Sequence, residues 1–327
     1  MNLVVRACRL PLALPIMALA MALAASAQEA RLRVNTFPGP QNLALFVAQD
    51  EGLFSKRGLA VEIAFTANSQ AQRDGLVKGA FEIAQAGVDN AVALVEAAKQ
   101  DVIIVSGGSN GMNELIVRPE IKSYDDIRGK TVVVDAPNTA YAFLLYKMLA
   151  LKGLNKADYA VWPAGGCTQR LDAMRGDATR VAAMMNPPCN LIAAKEGYHA
   201  FGRATDVIGN YQADGAWVMR AWAKDNSAVL TKYLEATIEG YRWGADPANR
   251  AEAAAIVAKH LRLDPAIAVQ SLETAVSTGL AKDARFDMEG FKTTLRLRAE
   301  FAGGDAAPNP ERYLDLSYYQ RALSTMN

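Results

Sequence analysis

An α/β fold of two similar lobes is predicted by three observations. Strand-like runs start near Arg31, Val61, Phe81 and Asp101, separated by 30, 20 and 20 residues, and again near Thr131, Tyr159, Arg180 and His199, separated by 28, 21 and 19. Helical spacing of apolar residues fills the intervals, the alternation that builds parallel βα units. Two further strand-like runs, ELIVRPEI at 114–121 and GAWVMRAWA at 215–223, fall where one series ends and where the other gives way to a long helical tail. The chain is expected to cross between lobes at these two places.

The elements follow in order. RLRVNTF (31–37) reads as a strand, and Pro38, Gly39 and Pro40 lead into a helix carrying Leu43, Phe46 and Val47. VEIAF (61–65) alternates as a strand does, and Asn68 and Ser69 supply capping side chains for a helix running to about Gly79. FEIAQA (81–86) meets Gly87, Val88, Asp89 and Asn90 and then another helix, while VIIVS (102–106) ends at Gly107, Gly108 and Ser109. In the second series Val132, Val133 and Val134 form a β-branched run suited to a strand covered on both faces. The run stops at Asp135, and Asn138 or Thr139 caps a helix through Phe143, Leu144, Met148 and Leu151, closed by Gly153. Beyond Asn226 the pattern is helical: a segment around Tyr233, Ile238 and Tyr241, then 247–261, 265–276, 286–301 and a short helix ending near Leu323.

The first 27 residues differ from the rest. Arg6 and Arg9 precede the apolar run LPLALPIMALAMALAA, and Ala25, Ser26, Ala27 give a small-x-small pattern, so a secretory signal peptide cleaved after Ala27 is expected. No later stretch approaches ~20 uninterrupted apolar residues, so the mature chain is expected to be soluble and exported. Charge is balanced, with 35 Lys plus Arg against 34 Asp plus Glu, and 33 against 34 once Arg6 and Arg9 are removed. That balance points to neither a nucleic-acid nor a membrane-surface partner. Cys167 and Cys189 remain after the leader; an exported compartment permits a disulfide between them, and two isolated buried or site-lining thiols fit equally.

With both crossings in place the chain resembles the periplasmic solute-binding proteins of ABC importers, in the group that takes up alkanesulfonates, taurine, nitrate and thiamine-pyrimidine precursors. The resemblance rests on NLALFVAQDEGLFSKRGLAVEIAF, GLVKGAFEIAQAGVDNA, LIVRPEIKSYDDIRGKTVVVDAPNTAYAFLL, the segment with Gly165, Gly166 and Arg170, MMNPPCNLIAAKEGY, and WAKDNSAVLTKYLEATIEGYRWGADPANRAEA, most of residues 31–260. It implies a type II periplasmic binding fold with two crossover strands and a ligand clamped between lobes. It further implies delivery to an inner-membrane permease driven by an ATPase, and the chain is expected to act as a monomer. Lobe one is expected over 28–118, lobe two over 119–218, and residues 219–327 as helices packing on lobe one.

Ligands in open α/β sheets sit beyond the carboxyl ends of parallel strands, where helix starts offer free N–H groups. Lobe one there presents Thr36, Phe37, Gln41, Asn42, Asn68, Ser69, Asp89, Asn90 and Ser109, with Asn35 beside them. Lobe two presents Asn138, Thr139, Cys167, Thr168 and Asn186, with Tyr211 and Gln212 nearby. Amides and hydroxyls dominate, donors able to hold a sulfonate or carboxylate without a full counter-charge, or a neutral heterocycle. Arg170 is expected in an ion pair or a structural role within the lobe. Any of Ser69, Asn90, Thr139 and Thr168 can instead serve as a helix cap. No cofactor and no metal-ligand cluster is indicated. An enzyme on the same scaffold, a desulfinase or decarboxylase with Cys167 as nucleophile, needs a base beside that sulfur, and His199 and His260 have no evident place there. A ligand-sensing module would share the fold and cleft.

Overall fold

The computed structural model describes residues 29–303 and 309–326; the leader expected over residues 1–27 lies outside them. Ten strands among the described residues form two sheets of five. Strands β1 (Ala30–Thr36), β2 (Leu59–Phe65), β3 (Ile83–Gly87) and β4 (Val102–Ile104) belong to the first. Strands β5 (Glu114–Val117), β6 (Thr131–Val134), β7 (Ala160–Pro163), β8 (Arg180–Met185) and β9 (His199–Arg203) make the second, and β10 (Asp214–Met219) returns to the first. The orders are β2-β1-β3-β10-β4 and β7-β6-β8-β5-β9, one plan used twice. The chain passes between lobes after β4 and again after β9.

The sheets are mixed. β1 pairs in parallel with β2 and β3, and β6 with β7 and β8. The strands that follow the crossings run the other way: β10 is antiparallel to β3 and β4, and β5 to β8 and β9. Each lobe thus receives its reversed strand directly from the opposite lobe.

Helices α1 (Leu43–Asp50), α2 (Ser69–Val77) and α3 (Val88–Glu96) follow the first three strands. Helices α4 (Ala140–Ala150), α5 (Cys167–Gly176), α6 (Cys189–Lys195) and α7 (Ala204–Ile208) follow β6 to β9. After β10 come α8 (Arg220–Asp225), α9 (Ser227–Ala245), α10 (Arg250–Leu261), α11 (Pro265–Thr274), α12 (Met288–Ala302) and α13 (Ser317–Ser324).

Leu230, Tyr233, Leu234 and Ile238 of α9 are buried with Leu45, Phe46 and Val47 of α1 in the largest apolar core. At Gly240 the two helices touch backbone to side face, since a Cβ there would stand 2.3 Å from the Ala44 carbonyl oxygen. Parts of α10 and α13 join the same core. The tail is nonetheless not confined to lobe one. On α12, Leu297 and Phe301 pack with the second lobe's core around Phe143 and Tyr146, Glu300 pairs with Lys147 at 2.9 Å, and Phe291 and Leu295 pack with Val88 and Val92 of lobe one. This helix spans both lobes.

Candidate functional site

A cavity of about 440 Å³ lies between the lobes. Its walls are the carboxyl ends of β1, β3, β6 and β8 and the helix starts that follow them, as parallel sheets dictate. Of the residues singled out by sequence, Thr36, Phe37, Gln41, Ser69, Asp89, Asn90, Thr139, Cys167, Thr168 and Asn186 line it.

Four of the expected site residues do not. Asn42 is turned into the turn after β1, where its amide donates to the Phe37 carbonyl at 2.6 Å and its oxygen accepts from Thr36 Oγ1 at 2.7 Å. Asn68 caps α2, its Oδ1 accepting from Ala71 N at 2.9 Å. Ser109 sits one layer behind and donates to Asp214 Oδ2 at 2.5 Å. Asn138 is exposed in the turn ahead of α4, and Thr139 takes the cap. Behind the wall too are Asn35, which accepts from Gln72, and Gln212, which donates to the Asp214 carbonyl at 2.5 Å and accepts from Asp287 N at 2.8 Å. Tyr211 is buried in the second lobe's core.

Three helices start at the cavity wall without a capping side chain: α3 of lobe one, entered through Gly87, and α5 and α6 of lobe two, entered through Gly166 and Pro188. They come from opposite lobes, and each brings a helix N-terminus with its partial positive charge. Asp89 sits in the first turn of α3, where a bare carboxylate would repel an anion. Its charge is met by Arg298 of α12, with Nε at 2.5 Å from Oδ1 and Nη2 at 2.7 Å from Oδ2, a fork-on-fork pair. The same guanidinium lies 5.4 Å from the Phe143 ring centre of lobe two. Asn90 accepts from Arg73 at 2.7 Å and donates to Gln72 at 3.3 Å, which leaves one amide N–H unassigned in the wall.

Sequence reading missed several wall residues. Asp135, at the end of β6, accepts from Thr139 Oγ1 at 2.5 Å. Burial pushes its carboxyl up, against the opposing charge of Arg170 and the Thr139 hydrogen bond. Arg170 lines the cavity and also donates to the carbonyls of Met184 at 3.1 Å and Gly165 at 2.9 Å. It is therefore bonded to its own lobe's backbone, with its charge acting on Asp135 and its plane 5.1 Å from the Tyr141 ring centre. Burial lifts the Asp214 carboxyl to about 6, while the Ser109 hydrogen bond pulls the other way. Apolar surface comes from Pro38, Tyr141 and Ile192, and from Leu261 and Leu263 in the link between α10 and α11. At the mouth the lobes nearly touch: a Cβ on Gly165 would stand 3.7 Å from the Ala67 carbonyl oxygen.

Cys167 and Cys189 form a disulfide, with Cα atoms 6.1 Å apart, joining the starts of α5 and α6 in the cavity wall. The two histidines stand elsewhere: His199 Nε2 is 2.8 Å from the Ile121 carbonyl, and His260 Nε2 is 2.9 Å from Asp50. Among the described residues no group of His, Cys, Asp and Glu could hold a metal ion.

Two α/β lobes of one plan, two crossings and a cleft at the strand ends define the class of the periplasmic binding protein fold. Solved structures share it over nearly their whole length. The ligand-binding component of an ABC-type import system from Staphylococcus aureus, solved with zinc bound, is 12% identical over 90% of this chain and 99% of its own, with a TM-score of 0.77. The periplasmic nitrate-binding protein NrtA from Synechocystis PCC 6803 is 12% identical over 91% and 89%, at 0.75. The periplasmic aliphatic sulphonate binding protein SsuA from Escherichia coli is 17% identical over 89% and 97%, at 0.68. No curated protein matches the sequence. The sequence model of the NMT1/THI5 like family matches residues 39–250, and the chain belongs to that family.

Proposed function

We propose that this chain is the solute-binding component of an ABC importer. It captures a small organic acid, a sulfonate or a carboxylate, in the interlobe cleft and hands it to an inner-membrane permease and its ATPase. The carrying observation is that two uncapped helix starts from opposite lobes, α3 and α5, face one cavity. An oxyanion placed there is held by preformed dipoles. The apolar surface of Phe37, Tyr141, Ile192, Leu261 and Leu263 favours an organic body over a bare inorganic anion such as nitrate. The names of the fold's relatives, which bind sulphonate or nitrate or serve ABC import, support this reading. A periplasmic site of action, a leader cleaved after Ala27 and a working monomer go with it.

Binding without chemistry is favoured because the Cys167 sulfur is bonded to Cys189 and neither histidine lines the cavity. The test is a thermal-shift panel of sulfonates, carboxylates, nitrate and pyrimidines on the purified mature chain. A sulfonate or carboxylate should raise the melting temperature with dose, because it binds only the folded state. A response confined to nitrate or pyrimidines, or flat curves throughout, would reject the acid class. A permease and an ATPase encoded beside this chain would favour import, a receptor kinase sensing.

A further inference from the structure

Asp214 opens β10, the strand by which the chain returns to lobe one, and its register partner on β3 is Gly87, the residue through which α3 is entered. Directly opposed residues of antiparallel strands stand about 5 Å apart, so this carboxylate shares the cavity wall with a helix start proposed to hold an anion. On its other side Asp214 is bridged to Ser109, whose carbonyl accepts from Asp214 N at 3.1 Å. Paired on both sides and 7% exposed, the acid is held in the wall, away from bulk water.

One of its two oxygens is answered. Ser109 Oγ donates to Oδ2 at 2.5 Å, and Oδ1 meets no donor among the described residues. The other two acids of the wall have cations, Asp89 in its pair with Arg298 and Asp135 beside Arg170. Asp214 forms no ion pair among the described residues, and the stretches of β3 and β4 that flank β10 carry no charge. The ionisable groups around it are tyrosines: Tyr141 of α4 in the lobe-two wall, Tyr211 on its own segment and Tyr241 of α9. Burial holds their hydroxyls well above the ordinary tyrosine range, with the Asp214 charge adding to it. None of them supplies a positive charge. Burial alone lifts the Asp214 carboxyl to about 6, and an anion at the α3 start would lift it further, because like charges in one enclosed cavity cannot both be ionised cheaply.

We propose that the cleft captures its acid together with one proton, taken from solvent onto Asp214 Oδ1 and donated in a hydrogen bond to an anionic oxygen of the ligand. This rests on the acid-binding reading above and adds a second, co-bound ligand to the same site. Anion and proton enter as a pair, so the buried site gains no net charge. The sign follows by linkage: a falling pH strengthens binding of the anion, and binding of the anion draws a proton in. A carboxylate that would repel the ligand becomes its hydrogen-bond donor.

The test is titration calorimetry on the full mature chain with propanesulfonate, benzenesulfonate and pyruvate, acids that stay ionised from pH 5.5 to pH 7.5. With the carboxyl at about 6, its protonated fraction falls from about three-quarters to about one in thirty over that interval. The affinity of at least one probe should therefore fall by about tenfold or more. Repeating the pH 7.5 titration in buffers of different ionisation enthalpy should show close to one proton taken up per anion bound. Asp214→Asn offers an N–H donor and no charge, and should bind the same probe about tenfold tighter than the parent at pH 7.5, with no proton uptake. A merely structural role would instead weaken binding equally at both pH values. Asp135→Asn removes the neighbouring buried acid and should keep the parent's proton uptake. Affinity that does not fall from pH 5.5 to pH 7.5, or uptake that survives in Asp214→Asn or is lost in Asp135→Asn instead, overturns the proton site and leaves the acid-binding reading standing. Failure of all three probes to bind at either pH overturns both.

Discussion

Replacing Asp214 by Asn should make the empty protein more stable at neutral pH. The side chain is 7% exposed, and burial lifts its carboxyl from the ordinary 3.8 to about 6. The folded state therefore holds this proton more tightly than the unfolded state does. Below pH 3.8 both states are protonated and the group is neutral in its effect. As pH climbs through the interval to 6 the unfolded chain ionises freely while the folded chain resists, and stability is lost. Above 6 the penalty is complete, about 3 kcal/mol for a shift of this size. Asparagine accepts the same hydrogen bond from Ser109 and carries no charge, so the variant escapes the penalty. Urea unfolding followed by circular dichroism should place the variant's midpoint above the parent's at pH 7.5, with the two converging near pH 3.5. A variant less stable than the parent at pH 7.5, or an offset that does not change with pH, would refute the reasoning: the carboxylate would then be neither desolvated nor unpaid by a cation.

Two further changes probe the wall. Arg298→Met removes the partner of Asp89, whose side chain is 2% exposed, and a buried charge left alone costs about 3–5 kcal/mol. The double variant with Asp89→Asn should recover most of that loss in urea unfolding, and a single-variant cost under ~1 kcal/mol would show that the pair does not neutralise Asp89. Joint replacement of Cys167 and Cys189 by Ser opens a loop with a sequence separation of 22 and should cost about 3 kcal/mol. Midpoints that do not differ between the parent with and without a reductant would contradict it.

Strands were most legible where an apolar or β-branched run ends at Gly or Asp, as at 132–134 before Asp135 or 83–86 before Gly87. The reversed direction of β5 and β10 was not, because strand direction leaves no mark on local alternation; it follows from where the chain crosses between lobes. Site residues were legible to the extent that the fold alone places them. Thr36, Asp89, Thr139 and Thr168 stand at strand ends or helix starts, and all line the cavity. Asn68 and Asn42 stand at equivalent places yet are consumed by a cap and a turn, since sequence gives the position of an amide and not the partner it finds first.

Asp135 carried the same signal as Asp89, an acid closing a buried strand or opening the next helix, and could have been found by applying that signal evenly. Arg298 could not. It is separated from Asp89 by 209 residues, on a helix whose amphipathic pattern predicts only that one face is buried. That distance matters to how the cleft works. The guanidinium that cancels a lobe-one acid belongs to α12, and α12 is also anchored on lobe two through Leu297, Phe301 and the Lys147–Glu300 pair. The charge balance at the start of α3 is therefore set by an element packed against both lobes. Any hinge motion that moved α12 relative to lobe one would loosen Asp89 from Arg298 and weaken the site at the same moment. On the proposed function, ligand retention and lobe closure would be coupled through that one ion pair.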